Sequence, residues 1–161
     1  CFYGIWLILF EYMLLPDGLF ISNICSFLAS ATYLILALTS FDVINIGNIV
    51  AISGSYGVEV IHACSGLDLI GLYISYIISY PGENKIRGIF LISGIIAISV
   101  FNIFRLSLLV ISDHILPLYW NDIHSYSTYI IFYPLIFGLW YFWTKINDQQ
   151  NIFSGKKLSV V

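Results

Sequence analysis

Cys64, Arg105 and His124 bring a thiol, a guanidinium and an imidazole to a chain otherwise dominated by hydrocarbon. Together they could do acyl-transfer chemistry. A thiolate attacks an acyl carbon, a guanidinium stabilises the oxyanion that forms, and an imidazole moves the protons. Cys64 sits in Ile61-His62-Ala63-Cys64-Ser65-Gly66-Leu67, at a predicted helix start. The end of a helix dipole and a neighbouring guanidinium both favour negative charge on sulfur. Arg105 lies within an apolar stretch. An arginine there costs about 2.5–3.5 kcal/mol at the membrane centre and normally faces the bundle interior with a role to play. The plainer alternative is a side chain that snorkels to the head groups. Asn102 lies one turn below Arg105 on the same helix face, and Ser99 continues that stripe. His124 opens the last apolar stretch, with Asp122 placed to orient it. His114 and then His62 are the second and third choices for the base.

The elements that position these residues follow from the gaps between charges. Residues 18–41, 69–82, 88–104 and 123–144 contain no Asp, Glu, Lys or Arg. A membrane-crossing helix needs about 20 apolar residues, so four spans are expected at about 19–40, 66–82, 87–111 and 124–144. A partial span over residues 2–15 precedes them; the chain starts at Cys1, and truncation explains the stub better than a lipid-modified cysteine. Lys85, Arg87, Lys145, Lys156 and Lys157 mark the cytoplasmic side, while Asp42, Glu59, Asp113 and Asp122 fall on the other. Between Phe41 and Ala63, alternating residues around Ser53-Gly54-Ser55 read as a small β-hairpin on the outer face. The expected fold is an all-α polytopic membrane protein of about four to five transmembrane helices with that extracytoplasmic segment. It forms a single integral membrane domain over residues 1–147, and residues 148–161 form a flexible cytoplasmic tail.

Depth ties the three chemical groups together. At 1.5 Å per residue, Arg105 stands roughly 26 Å above the cytoplasmic end of its helix, Cys64 roughly 27 Å and His124 roughly 31 Å. Three helices thus bring them to one level near the outer interface.

Composition excludes most other functions. Of 161 residues, 60% are hydrophobic and 9% charged. A soluble domain of this size has too few charges to cover its surface, and a disordered chain needs the opposite balance. Six Lys and Arg in total cannot build a face for nucleic acid. No Cys-x-x-Cys and no His-x-x-x-His is present, so neither a metal site nor any cofactor is expected. Cys25, mid-helix between apolar neighbours, is a small filler. Cys64, Asp68, Gly71, Ser75 and Ser79 form one small, polar helix face suited to close packing or a cleft. The rival to an enzyme is a non-catalytic membrane scaffold in which Asp68 and Arg105 pair as interhelical glue. A transporter would need matching broken helices, which the chain lacks.

Ala63-Cys64-Ser65-Gly66-Leu67, Asn102-Ile103-Phe104-Arg105-Leu106 and the downstream His124 together resemble the exosortase/archaeosortase family of multi-pass membrane thiol transpeptidases. The resemblance covers about residues 40–145, with order and spacing carrying more weight than any one motif. It implies Cys64 as nucleophile, Arg105 as oxyanion or thiolate stabiliser and His124 as acid/base. It further implies a multi-pass protein of the cytoplasmic membrane with its site on the extracytoplasmic side. Its substrates would be membrane-anchored proteins ending in a short motif, a transmembrane helix and a basic cluster, cleaved and passed to a cell-envelope acceptor. Substrate identity, acceptor and oligomeric state are left open.

Overall fold

The computed structural model describes Gly4 and residues 18–153. The expected span 2–15 otherwise falls outside the described residues, as do Lys156 and Lys157. The described elements are α1 (Gly18–Ala37), β1 (Val43–Ile46), β2 (Ile49–Ile52), β3 (Val58–Glu59), a 3-10 turn (His62–Cys64), α2 (Leu67–Ser79), α3 (Asn84–Ile115), a second 3-10 turn (Pro117–Tyr119) and α4 (Trp120–Phe153).

α3 and α4 are the two described helices long and apolar enough to cross a membrane. With 32 and 34 residues they rise roughly 48 and 51 Å, more than the roughly 30 Å hydrocarbon core. Their outward faces are apolar too: Ile89, Ile96, Phe104, Ile130 and Phe137 are all more than half exposed. A helix that is apolar on its open face suits lipid.

The other two expected spans differ. α2 has 13 residues and rises roughly 20 Å, short of a full crossing. Its start is displaced because residues 62–66 form a 3-10 turn and a left-handed cap. Its end is fixed by Pro81, which pushes Tyr80 into an extended conformation with ψ of 132°. α1 has a suitable length but packs only at one end of the bundle. Its Ile21, Cys25, Leu28, Ala29 and Leu36 form a core with Val50, Ile52, Val58 and Val60 of the sheet segment and with Leu106, Leu109 and Val110 of α3. A second core, with Tyr73, Ile77, Ile98, Phe132 and Trp143, joins α2, α3 and α4 at the opposite end. There Gly94 lies flush against Tyr73, whose hydroxyl donates to Phe90 C=O at 2.6 Å. Beyond it, Arg87 donates to the carbonyls of Tyr80 and Gly82, tying the 80–83 loop to α3.

The expected hairpin is a three-stranded antiparallel sheet in the order β1-β2-β3. Its first turn is Gly47-Asn48, with Gly47 at φ 65°, and Ser53-Gly54-Ser55 lies in the second connection. β2 was absent from the expectation because Ile49-Val50-Ala51-Ile52 is continuously apolar and shows no alternation. Val50 and Ile52 pack on the helices, while Ile44, Ile46 and Ile49 face away. At the chain's other end α4 continues through Asp148 to Phe153, into the expected tail, and residues 154–161 lie outside the described residues.

Candidate active site

Cys64 closes the 3-10 turn and is buried at 4% exposure. The turn is knitted by Cys64 N–H donating to Ile61 C=O at 2.9 Å and by Ser65 Oγ donating to His62 C=O at 2.6 Å. Gly66 follows at φ 75°, the left-handed region that glycine enters without a steric cost. It also lies against Asn102, since a Cβ there would come within 3.4 Å of the Asn102 amide carbon and nitrogen. Asn102, itself 1% exposed, donates from Nδ2 to Cys64 C=O at 2.8 Å. The Ser-Gly pair and the asparagine therefore fix the cysteine backbone from two sides.

α4 presents Trp120, His124 and Ser127 at i, i+4 and i+7, which is one helix face. His124 Nε2 lies 3.7 Å from Cys64 Sγ. The Trp120 ring stacks on the imidazole, with centroids 5.0 Å apart and planes inclined by 21°. Ser127 links the helices: its Oγ accepts from Arg105 Nε at 3.1 Å and donates to His124 C=O at 3.0 Å. Arg105 Nη2 also donates to that carbonyl, at 3.5 Å, and the guanidinium lies near the Cys64 side chain.

The electrostatics of this arrangement are unbalanced. Arg105 is 4% exposed, and among the described residues no carboxylate pairs with it. A buried cation without a counter-charge is costly. Asp68, the expected structural partner, is exposed and makes no bond to Arg105 among the described residues, because it lies on the outward side of α2. The nearby buried Asp113 is engaged elsewhere, accepting Gly57 N–H at 2.8 Å.

The remaining candidates separate from this cluster. Asp122 is exposed and makes no hydrogen bond to His124, whose ring is held by Trp120 instead. His114 is exposed at the end of α3 with its ring 5.9 Å from that of Phe41. His62 is exposed and lies in a turn, so the strand geometry that would aim it with Cys64 does not apply. Ser99 bonds to Ile95 C=O within its own helix. Of the small face on α2, Gly71 and Ser75 are buried, while Asp68 and Ser79 are exposed. Among the described residues, no three His, Cys, Asp or Glu side chains come together as a metal site would require. Ser127 and Trp120 carry no motif of their own. Their signal is their spacing from His124 along one helix face.

Comparisons with characterised proteins and with solved structures returned no match. The family model described as transmembrane exosortase matches residues 2–141, which include Cys64, Arg105 and His124. Covering most of the 161 residues, that match and the membrane-length helices place the chain in the transmembrane exosortase family.

Proposed function

We propose that this chain is a cysteine transpeptidase acting on the C-terminal sorting signals of membrane-anchored exported proteins. The observation that carries this reading is the 3.7 Å approach of Cys64 Sγ to His124 Nε2 beside a buried Arg105 that has no carboxylate partner among the described residues. With its proton on His124, the Cys64 thiolate attacks the scissile carbonyl and forms an S–C bond. Arg105 stabilises the oxyanion, a charge interaction strengthened where water is excluded. The C–N bond then breaks as His124 gives its proton to the leaving amine, and a thioester joins substrate to Cys64. An acceptor amine or hydroxyl, losing its proton to His124, attacks the thioester and releases the thiolate. Lys85 and Arg87 assign their loop to the cytoplasm, so the pocket at the far end of α3 works on the extracytoplasmic side of the cytoplasmic membrane. A cleavage point just outside a membrane anchor would meet it there.

Co-expression with an exported protein ending in a short motif, an apolar helix and a basic cluster tests the reading. Cys64→Ala abolishes processing, and His124→Ala slows it about 10²- to 10⁴-fold. Processing by Cys64→Ala at the wild-type rate overturns the proposal. A scaffold held by an Asp68–Arg105 pair has no such contact to support it among the described residues.

A further inference from the structure

β3 is an edge strand that runs straight into the nucleophile's turn. It pairs with β2 in the register Ile49↔Glu59 and Val50↔Val58, and Val60 N–H extends the ladder by donating to Asn48 C=O at 2.8 Å. Antiparallel alternation then turns the backbone groups of Val58 and Val60 toward β2 and those of Gly57, Glu59 and Ile61 away from it. Two groups on the outward edge are already taken. Gly57 N–H donates to Asp113 Oδ2 at 2.8 Å, and Ile61 C=O accepts Cys64 N–H at 2.9 Å. The Glu59 N–H and C=O and the Ile61 N–H have no protein partner among the described residues. Both residues are exposed. The sheet's other edge is β1, which is flanked in the chain by Asp42 and Gly47 and does not run into the Cys64 turn.

An unpaired strand edge is a template for another extended chain. We infer that the outward edge of β3 is the substrate-docking strand: an extended segment of the polypeptide substrate hydrogen-bonds to Glu59 and Ile61 as a fourth strand. The inference rests on the transpeptidase reading of the same site. Ile61 is only three residues from Cys64, so pairing at this edge holds the segment beside the sulfur. The Glu59 carboxylate accepts from Asn48 Nδ2 at 3.1 Å, so it is the backbone of this residue, and not its side chain, that faces the incoming strand. Recognition of this kind selects an extended backbone first and side chains second.

Proline substitution isolates the backbone contact, because neither outward N–H serves the β2 ladder. Glu59→Pro and Glu59→Ala are compared in processing of the co-expressed tailed protein, with alkylation of Cys64 by a small maleimide as the measure of an intact site. The proline variant is expected to process at least tenfold more slowly than the alanine variant while Cys64 alkylates within twofold. Ile61→Pro against Ile61→Ala gives the same result. Equal processing by the proline and alanine variants overturns the inference. If proline disturbs the fold, amide exchange in the Cys64→Ala chain mixed with that tailed protein decides. Slowed exchange at Glu59 and Ile61, with Val58 and Val60 unchanged, supports docking; unaltered exchange at Glu59 and Ile61 overturns it. Failure of the transpeptidase reading shows separately, as continued cleavage by Cys64→Ala.

Discussion

In the proposed transpeptidase, Arg105 is the residue on which the chemistry turns. This cation at 4% exposure is bonded to a hydroxyl and a backbone carbonyl, with no carboxylate partner among the described residues. Arg105→Gln removes the charge and leaves a shorter side chain with an amide donor. It should slow processing about 10²- to 10³-fold, the usual loss when an oxyanion donor is removed. It should also slow maleimide alkylation of Cys64 at neutral pH; an unchanged alkylation rate would contradict a thiolate balanced by this cation. Ser127 is a positioning residue, holding Arg105 Nε and the His124 carbonyl at once. Hydrogen bonds to charged groups contribute about 1.5–3 kcal/mol, so Ser127→Ala should lower kcat roughly tenfold or more with little change in KM. Ser127→Thr, which keeps the hydroxyl, should recover most of it, and a purely structural role would not produce that split. The meeting of thiol, guanidinium and imidazole was legible in the sequence, since helix rise alone puts them at one depth. Ser127 and Trp120 were not, because serine and tryptophan at an interface are common for reasons unrelated to a site. Asp122 misled because sequence adjacency to His124 turns it around the helix and away from the imidazole.

At the scale of elements, the 62–66 turn decides where the sulfur sits. Gly66 at φ 75° lets the chain pass from the 3-10 turn into α2, and Asn102 packs against its bare Cα. Gly66→Ala should cost about 1–3 kcal/mol from the left-handed backbone alone and displace Cys64 from His124. Thermal unfolding in detergent and the processing rate both report it; wild-type values for both would remove the turn from the account. Gly94→Ala acts at the opposite end, where its Cβ would overlap the buried Tyr73 ring. It should destabilise the bundle by about 1–3 kcal/mol, read as a lower unfolding midpoint, while sparing the arrangement around Cys64. The small face of α2 was legible as a packing surface only in part: Gly71 and Ser75 are buried, while Asp68 and Ser79 are exposed. The strand between Gly47 and Ser53 was not, because a four-residue apolar run carries no period to distinguish it from helix or loop.

Taken whole, the described molecule is a bundle with two cores, and the Cys64–His124 contact lies at the end that holds the first. α3 reaches both: its Leu106, Leu109 and Val110 meet α1 and the sheet, and its Ile98 meets α2 and α4. That long helix was legible from its uncharged run. The shortness of α2 and the packing of α1 along one end were not, since apolar composition reports burial in protein and in lipid alike. Cells expressing the chain should label Cys64 with a thiol reagent applied from outside, and an engineered cysteine at Lys85 only after permeabilisation. The reverse pattern would invert the orientation drawn from the Lys85–Arg87 loop. The most direct test of the central claim is capture of the thioester. Co-expressed with the tailed protein, the chain should form a covalent adduct that maps to Cys64, is released by hydroxylamine and is missing in Cys64→Ala. Substrate cleavage that continues in Cys64→Ala, with no adduct on that sulfur in the unmodified chain, would contradict it.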